Sequence, residues 1–177
     1  MKIYNTLGRQ LQTFTPRDEG KVGMYVCGAT VQSKPHLGHG RYAVVFDVLR
    51  RYFTYLGYDV TYVENITDVD DKIINAANEA GVTTDQIVNE AAAAFAKAHE
   101  TLGVLPADIE PRATEHVGQM IAMIEQLIER GHAYEAEGDV YFSVRGFPGY
   151  GKLSGRNIDD LQSGARVEVG DVKRDPL

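Results

Sequence analysis

The chain has 177 residues, enough for one domain or for one and part of another, and its 44% hydrophobic and 24% charged content suits a globular protein with a real core. A formal net charge of −7 removes any global basic field for nucleic acid, so a contact of that kind must be local or lie outside this chain. The single cysteine, Cys27, excludes an internal disulfide and a cysteine-rich zinc finger and fits a reducing, cytoplasmic setting. The N-terminus is broken by polar residues too early for a signal peptide, and no apolar run approaches the ~20 residues of a membrane span.

In chain order, KIYNTLGRQLQTF reads as two short strands turning at Gly8. Lys21 to Cys27 reads as a strand, and its Met-Tyr-Val-Cys run suits one buried on both faces. A loop follows, with Pro35 before the cluster His36-Leu37-Gly38-His39. Residues 40–56 carry Val45, Val48, Leu49, Tyr52, Phe53 and Leu56 at helical spacing, with Gly57 where a C-terminal cap belongs. DVTYVEN, residues 59–65, is a β-rich strand. Strand, loop, helix and strand in this order make a βαβ unit, and ligands of open parallel sheets bind at the carboxyl edge of the strands. The Cys27 and histidine region falls at that edge.

The following ITDVDDKIINAANEAG places carboxylates at the start of a helix, where they favour its dipole. Thr83 and Gln86 predict a capping box for a further helix, with Ile87, Val88, Ala91, Phe95, Ala98 and Leu102 on one face. LPADIEPRA is a connector. Thr114 opens another helix, striped by Val117, Ile121, Ile124, Leu127 and Ile128 and closed by Gly131. Residues 133–144 read as a hairpin turning near Glu137 and Gly138. Beyond Phe147 the sequence is glycine-rich and polar and ends without a closing element, so a fragment is expected.

Four constellations bear chemistry. A loop between a parallel strand and its helix presents N–H groups and a positive dipole end to an anion, and His36 and His39 there suit phosphate as charge develops in phosphoryl or nucleotidyl transfer. The alternative is a loop with two solvated histidines. Cys27, closing a strand, reads by spacing as a packing residue; a zinc reading needs further ligands that the spacing of His99, His116 and His132 does not supply. Asp68, Asp70 and Asp71 could bind a divalent metal but read as helix-capping acids, with Thr67 better placed for a substrate. Arg50, Arg51 and Lys72 read as a solvated face, whereas Arg41 stands beside the loop and could meet phosphate.

Together these residues resemble the N-terminal part of a cysteinyl-tRNA synthetase, a class I aminoacyl-tRNA synthetase. The segments that carry the resemblance are YNTL, MYVCGATV, HLGHGR, FDVLRRY, GYDVTYVENITDVDDKII, EPRATEH, GHAY, GDVYF, YGKLSG and KRDP, spread over essentially the whole chain, with Leu37 in place of the more usual isoleucine. The resemblance implies an α/β, Rossmann-like (HUP-type) parallel sheet with flanking helices. Residues 1–112 would be the first half of the catalytic domain, and 113–177 a helix and the start of a connective insertion. It implies ATP-dependent activation of cysteine and transfer to tRNA(Cys). His36 and His39 would bind ATP phosphates and stabilise the transition state, Gly38 would make room for adenine, and Arg41 would join the ATP site. Gly28, Thr30 and Thr67 would line the cysteine pocket, and Cys27 would be one of four zinc ligands. The other three ligands, the Lys-Met-Ser-Lys-Ser loop, the second half of the fold and the anticodon-binding domain are expected downstream. ATP with Mg2+, L-cysteine, tRNA(Cys) and Zn2+ are the implied partners, for a cytoplasmic protein expected to be a monomer. The rivals are a mycothiol-pathway cysteine:amino-sugar ligase, a non-catalytic nucleotide-binding module and a small nucleotidyltransferase.

Overall fold

A computed structural model describes residues 1–160 and 173–175. The expectations for the glycine-rich stretch at 161–172 and for residues 176–177 lie outside the described residues. The chain divides into two compact units, Pro16–Val117 and Met1–Thr15 together with Gly118–Leu177.

The N-terminal hairpin pairs β1 (Lys2–Asn5) with β2 (Gln10–Thr13) antiparallel, in the register Lys2↔Thr13. The unit Pro16–Val117 holds β3 (Lys21–Val26), α1 (Leu37–Tyr55), β4 (Asp59–Glu64), α2 (Asp71–Ala80) and α3 (Thr84–Thr101). The predicted βαβ unit is there: β3 and β4 pair parallel from Lys21↔Asp59 to Val26↔Glu64, joined through α1. Beyond Glu64 the chain stays extended between two further segments. Thr30 bridges Thr67 on one side, and Val63 and Ile66 bridge Ile109 and Arg112 on the other, all parallel. The LPADIEPRA stretch therefore carries a third parallel segment, at Ile109 and Arg112 beside the tip of β4, and is not a bare connector.

Strand β3 departs from its expected burial. Val22 and Val26 are buried, but Tyr25 between them is 64% exposed. Helix α1 packs on β3 and β4 and covers one face, so the strand alternates in place of being buried on both.

The core nearest the strand tips joins Val31, Ile73, Val88, Ala91 and Phe95, with Ala29, Ile66, Ile87 and Ala92 packed around it. Val88, Ala91 and Phe95 are the buried part of the stripe predicted on α3. Thr83 caps that helix by accepting from Gln86 N at 3.2 Å. The reciprocal half of the expected box is missing, because the Gln86 side chain donates to Glu90 instead. Helix α2 starts on Asp70, whose carboxylate accepts from Lys72 N, and Asp71 follows in its first turn, as expected of capping acids. Phe95→Ala is expected to cost about 3–5 kcal/mol of stability, the usual range for emptying a buried aromatic site. Urea denaturation of this unit measures it, and a loss under ~1 kcal/mol would place Phe95 outside the core.

Arg50 is withdrawn from the expected solvated face, while Arg51 stays half-exposed yet is held by partners. Arg50 donates to Pro106 O and to Asp108 at 2.7 Å each and lies over the Tyr62 ring. Arg51 donates to the buried Asp47 at 2.6 Å and to Gly103 O at 2.9 Å. Asp47 in turn accepts from Leu105 N. These contacts clamp the 103–108 connector to α1 and satisfy polar groups that burial would otherwise penalise.

In the other unit, α4 (Val117–Glu129) follows a 3-10 turn at Ala113–His116, so the helix begins three residues after Thr114. Ile121 and Ile124 of its predicted stripe are exposed, while Leu127 and Ile128 are half-buried. Strands β5 (Ala133–Ala136) and β6 (Asp139–Phe142) form the predicted hairpin, turning at Glu137 and Gly138.

Candidate active site

The histidine cluster is not a loop that precedes the helix. Leu37, Gly38 and His39 already belong to the first turn of α1, which begins three residues earlier than expected, and His36 is its N-cap. The cause is a capping box built from two imidazoles. His36 Nδ1 accepts from Gly38 N at 3.0 Å, and His39 Nδ1 accepts from the N–H of His36 at 3.1 Å. These bonds replace the usual Ser/Thr and Glu/Gln pair and satisfy otherwise orphan donors. They also consume N–H groups that were expected to face an anion.

What remains is chemically specific. An imidazole whose Nδ1 accepts carries its proton on Nε2, so both rings are left as Nε2–H donors. The two rings lie 3.9 Å apart at 32°. Burial, and then the neighbouring His36, push the His39 pKa below its ordinary value, so its ring stays neutral near pH 7. Gly38 has a reason of its own: a Cβ there would lie 2.8 Å from His36 Cε1. The capping geometry thus demands glycine at this position.

At the carboxyl tips of β3 and β4 a cavity of about 240 Å³ is lined by Cys27, Gly28, Ala29, His39, Tyr42, Glu64, Phe95 and His99. Cys27 is a free, exposed thiol. The Tyr42 hydroxyl donates to its carbonyl. Burial, followed by the nearby Glu64, pushes the Tyr42 hydroxyl far above its ordinary value, so it remains a donor. Burial also pushes the Glu64 carboxyl up, against the opposing pull of His99 and of a hydrogen bond from Tyr62 at 3.2 Å. The His39 ring meets Phe95 edge-on at 5.0 Å, which seats it between the core and the cavity.

Of the sequence-predicted residues, Cys27, Gly28 and His39 come together in this cavity. His36, Gly38 and His39 share the start of α1. Thr30 and Thr67 bridge each other beside the cavity but are not part of its lining. Arg41 is exposed and borders an apolar groove of about 770 Å³ between α1 and α3, together with His36 and Leu37. The structure thus brings Arg41 near His36 but not to Cys27. Asp68 does not cap a helix: its buried carboxylate accepts from Thr114 N at 3.0 Å and from Thr114 Oγ1 at 2.7 Å, with Arg112 nearby at 3.8 Å. Those hydrogen bonds and Arg112 hold it below the usual carboxylate range, although burial acts in the opposite direction.

Zinc finds an incomplete site. Among the described residues no group of three His, Cys, Asp or Glu is arranged to hold a metal. Cys27 is reachable and able to give one soft donor, but the described residues do not complete a tetrahedral set.

Sequence reasoning overlooked Tyr42, Glu64, Phe95 and His99 as cavity lining. Glu64 was legible in principle, since it ends β4 in register with Val26. Phe95 and His99 share a helix face at i, i+4.

The description "tRNA synthetases class I (C) catalytic domain" matches residues 13–177. The chain belongs to that family. As a class I synthetase catalytic domain, it is 55% identical over its full length to the protein named Cysteine--tRNA ligase in Oleidesulfovibrio alaskensis, covering 37% of that protein. It is 56% identical to the one in Chromobacterium violaceum, again over 100% of this chain and 39% of that protein. The chain thus spans a little over a third of the length of these curated relatives. Among solved structures, Mycobacterium tuberculosis methionyl-tRNA synthetase in complex with methionyl-adenylate matches with a TM-score of 0.57 and 23% identity, over 64% of this chain and 24% of that one. The Agrobacterium radiobacter K84 LeuRS–tRNA–LeuAMS ternary complex matches with a TM-score of 0.58 and 21% identity, over 68% of this chain and 16% of that one. These two likenesses speak for the Rossmann-like fold alone. The rival readings as an amino-sugar ligase or a non-catalytic module are not favoured by the named relatives. Among the described residues, no helix of this synthetase domain is long and apolar enough to cross a membrane.

Proposed function

We propose that this chain is the N-terminal part of the catalytic domain of a cysteine--tRNA ligase, which joins cysteine to ATP as cysteinyl-adenylate and passes the cysteine to the 3′ end of tRNA(Cys). One juxtaposition supports the reading above all. Cys27 and His39 line the same cavity at the strand tips, in a chain that matches cysteine--tRNA ligases over its whole length. In activation, a carboxylate oxygen of cysteine attacks the α-phosphorus of ATP, and pyrophosphate leaves with the bonding pair. Charge grows on the phosphate oxygens as this happens. Two preorganised Nε2–H donors at the start of α1 suit that charge. Arg41 adds a positive charge near the same helix start, and ATP enters with Mg2+.

Gly28, Thr30 and Thr67 are proposed to shape the amino-acid pocket. Cys27 is proposed as one of four zinc ligands, the others being a Cys, a His and a Glu outside this chain. When bound, zinc would favour a thiolate substrate over serine, whose hydroxyl is a poorer soft-metal partner, and so lessen any need for editing. A cytoplasmic monomer completes the proposal; the lone free cysteine fits the compartment.

Cys27→Ser in the complete enzyme tests the metal assignment. Zinc retention is expected to fall about tenfold or more, with a matching rise in cysteine KM. Unchanged zinc content together with unchanged cysteine KM would remove Cys27 from the ligand set.

A further inference from the structure

The side chain of Asn65 sits where the two strand tips meet. Its Oδ1 accepts from Gly28 N at 3.0 Å and from the Tyr25 hydroxyl at 2.9 Å. Its Nδ2 donates to Thr67 Oγ1 at 3.1 Å. One amide therefore holds two residues proposed to shape the cysteine pocket, one just past the end of each strand. Its backbone is committed as well. The Asn65 carbonyl occupies the space that a Cβ on Gly28 would need, 1.6 Å away. On the other side of the same segment, Ile66 N donates to Pro111 O at 2.9 Å and Ala113 N donates to Ile66 O at 3.1 Å, which anchors the hub to the third parallel segment.

No other side chain type reproduces this set at the same length. Asp offers both accepting contacts but no N–H for Thr67, Ser is too short to bridge, and Gln is too long for the gap. The orientation of the amide follows from its partners: Gly28 N–H can only donate, so Oδ1 must face it and Nδ2 must face Thr67.

We infer that Asn65 is a positioning residue for amino-acid recognition, setting the spacing between Gly28 on the β3 side and Thr67 on the β4 side. This rests on the cysteine-ligase reading. Asn65 touches neither reacting atoms nor ATP phosphates in this scheme; it acts through the two pocket residues. Its loss should therefore weaken cysteine recognition far more than ATP recognition.

The test is cysteine-dependent ATP–pyrophosphate exchange by the complete enzyme, with active sites titrated so that a loss of folded protein does not register as a kinetic change. Asn65→Ala is expected to raise cysteine KM about tenfold or more, because it removes three hydrogen bonds at once, while ATP KM stays within about threefold. Asn65→Asp, which keeps the two accepting contacts but loses the donor to Thr67, is expected to rescue only in part, with cysteine KM between that of the parent and that of Asn65→Ala. A cysteine KM unmoved in Asn65→Ala, or equal rises in both KM values, overturns the inference. Should Asn65→Ala fail to fold, Tyr25→Phe decides, since it removes one contact from an exposed ring. A cysteine KM raised about two- to fivefold supports the role, and an unchanged one overturns it. If the parent enzyme itself shows no exchange with cysteine, the ligase reading has failed, which is a separate result from an unmoved KM in the variants.

Discussion

Gly28→Ala is expected to abolish measurable cysteine activation and to destabilise the strand tips together. An added Cβ would stand 1.6 Å from the Asn65 carbonyl oxygen, 2.8 Å from its carbon and 3.4 Å from Glu64 Cγ. The first two are backbone atoms, held on either side by Glu64 N donating to Ile109 O and Ile66 N donating to Pro111 O, so no side-chain rotation relieves the clash. The tips must separate. That breaks the Gly28 N–Asn65 bond of 3.0 Å and strains the pairing in which Thr67 N donates to Ala29 O and Val31 N to Thr67 O, each at 3.2 Å. A lost half-buried hydrogen bond of about 0.5–1.5 kcal/mol and overpacking of about 1–3 kcal/mol act in the same direction. Chemical denaturation and exchange kinetics on the complete enzyme check it. Stability within 0.5 kcal/mol of the parent (roughly the scatter of neutral surface changes) would show that the two tips do not meet as described.

The second large effect belongs to His39. Removal of one preorganised donor from a developing charge typically costs about 10²–10³ in rate. His39→Ala is expected to lower the rate of adenylate formation by that order, with ATP affinity changed only a few-fold. A lost affinity with an intact rate would contradict the transition-state role. The same substitution deletes half of the capping box, worth about 1 kcal/mol. His39→Gln can rebuild the box and is expected to recover the stability without the full rate, which separates the two jobs of one ring.

The pH dependence has a definite sign. His39 is held below its ordinary value of 6.5 in the folded protein, by burial first and His36 second. The unfolded chain therefore binds more protons as pH falls below that value, and the stability contributed by the neutral ring is lost as pH drops through the lower folded value. Protonated Nδ1 also ceases to accept from His36 N. Acid should thus loosen the start of α1, an effect that is reduced in His39→Gln, where the His36 half of the cap is the part that remains an imidazole.

The βαβ core was legible because its signals are local: the Met-Tyr-Val-Cys run in β3, the β-rich run in β4, helical spacing in α1, and Gly57 just past the helix end; the alternating burial of β3 was not, because it depends on which face α1 covers. The two-imidazole cap was not, since histidine is an uncommon N-cap and only the geometry reveals that each ring satisfies the other's turn. Arg50 and Arg51 misled for a different reason. Their partners Asp108 and Gly103 lie more than fifty positions away and no periodicity links them, and the i, i+4 pair of Asp47 with Arg51 does not by itself reveal that Asp47 is buried. His99 and Asn65 share this non-local origin, becoming part of the strand-tip region only once the tips of β3 and β4 are side by side. Cys27 is the opposite case. Its spacing reads as packing, its exposure and cavity position argue for chemistry, and its place in a metal set comes from the family resemblance.

Amino-acid-dependent ATP–pyrophosphate exchange by the complete enzyme tests the central claim most directly. Cysteine is expected to support exchange and serine to fail by a factor of about 10⁴ or more, the range open to a site built around one specific contact. Exchange supported by methionine or leucine but not by cysteine, or by no amino acid, would contradict it.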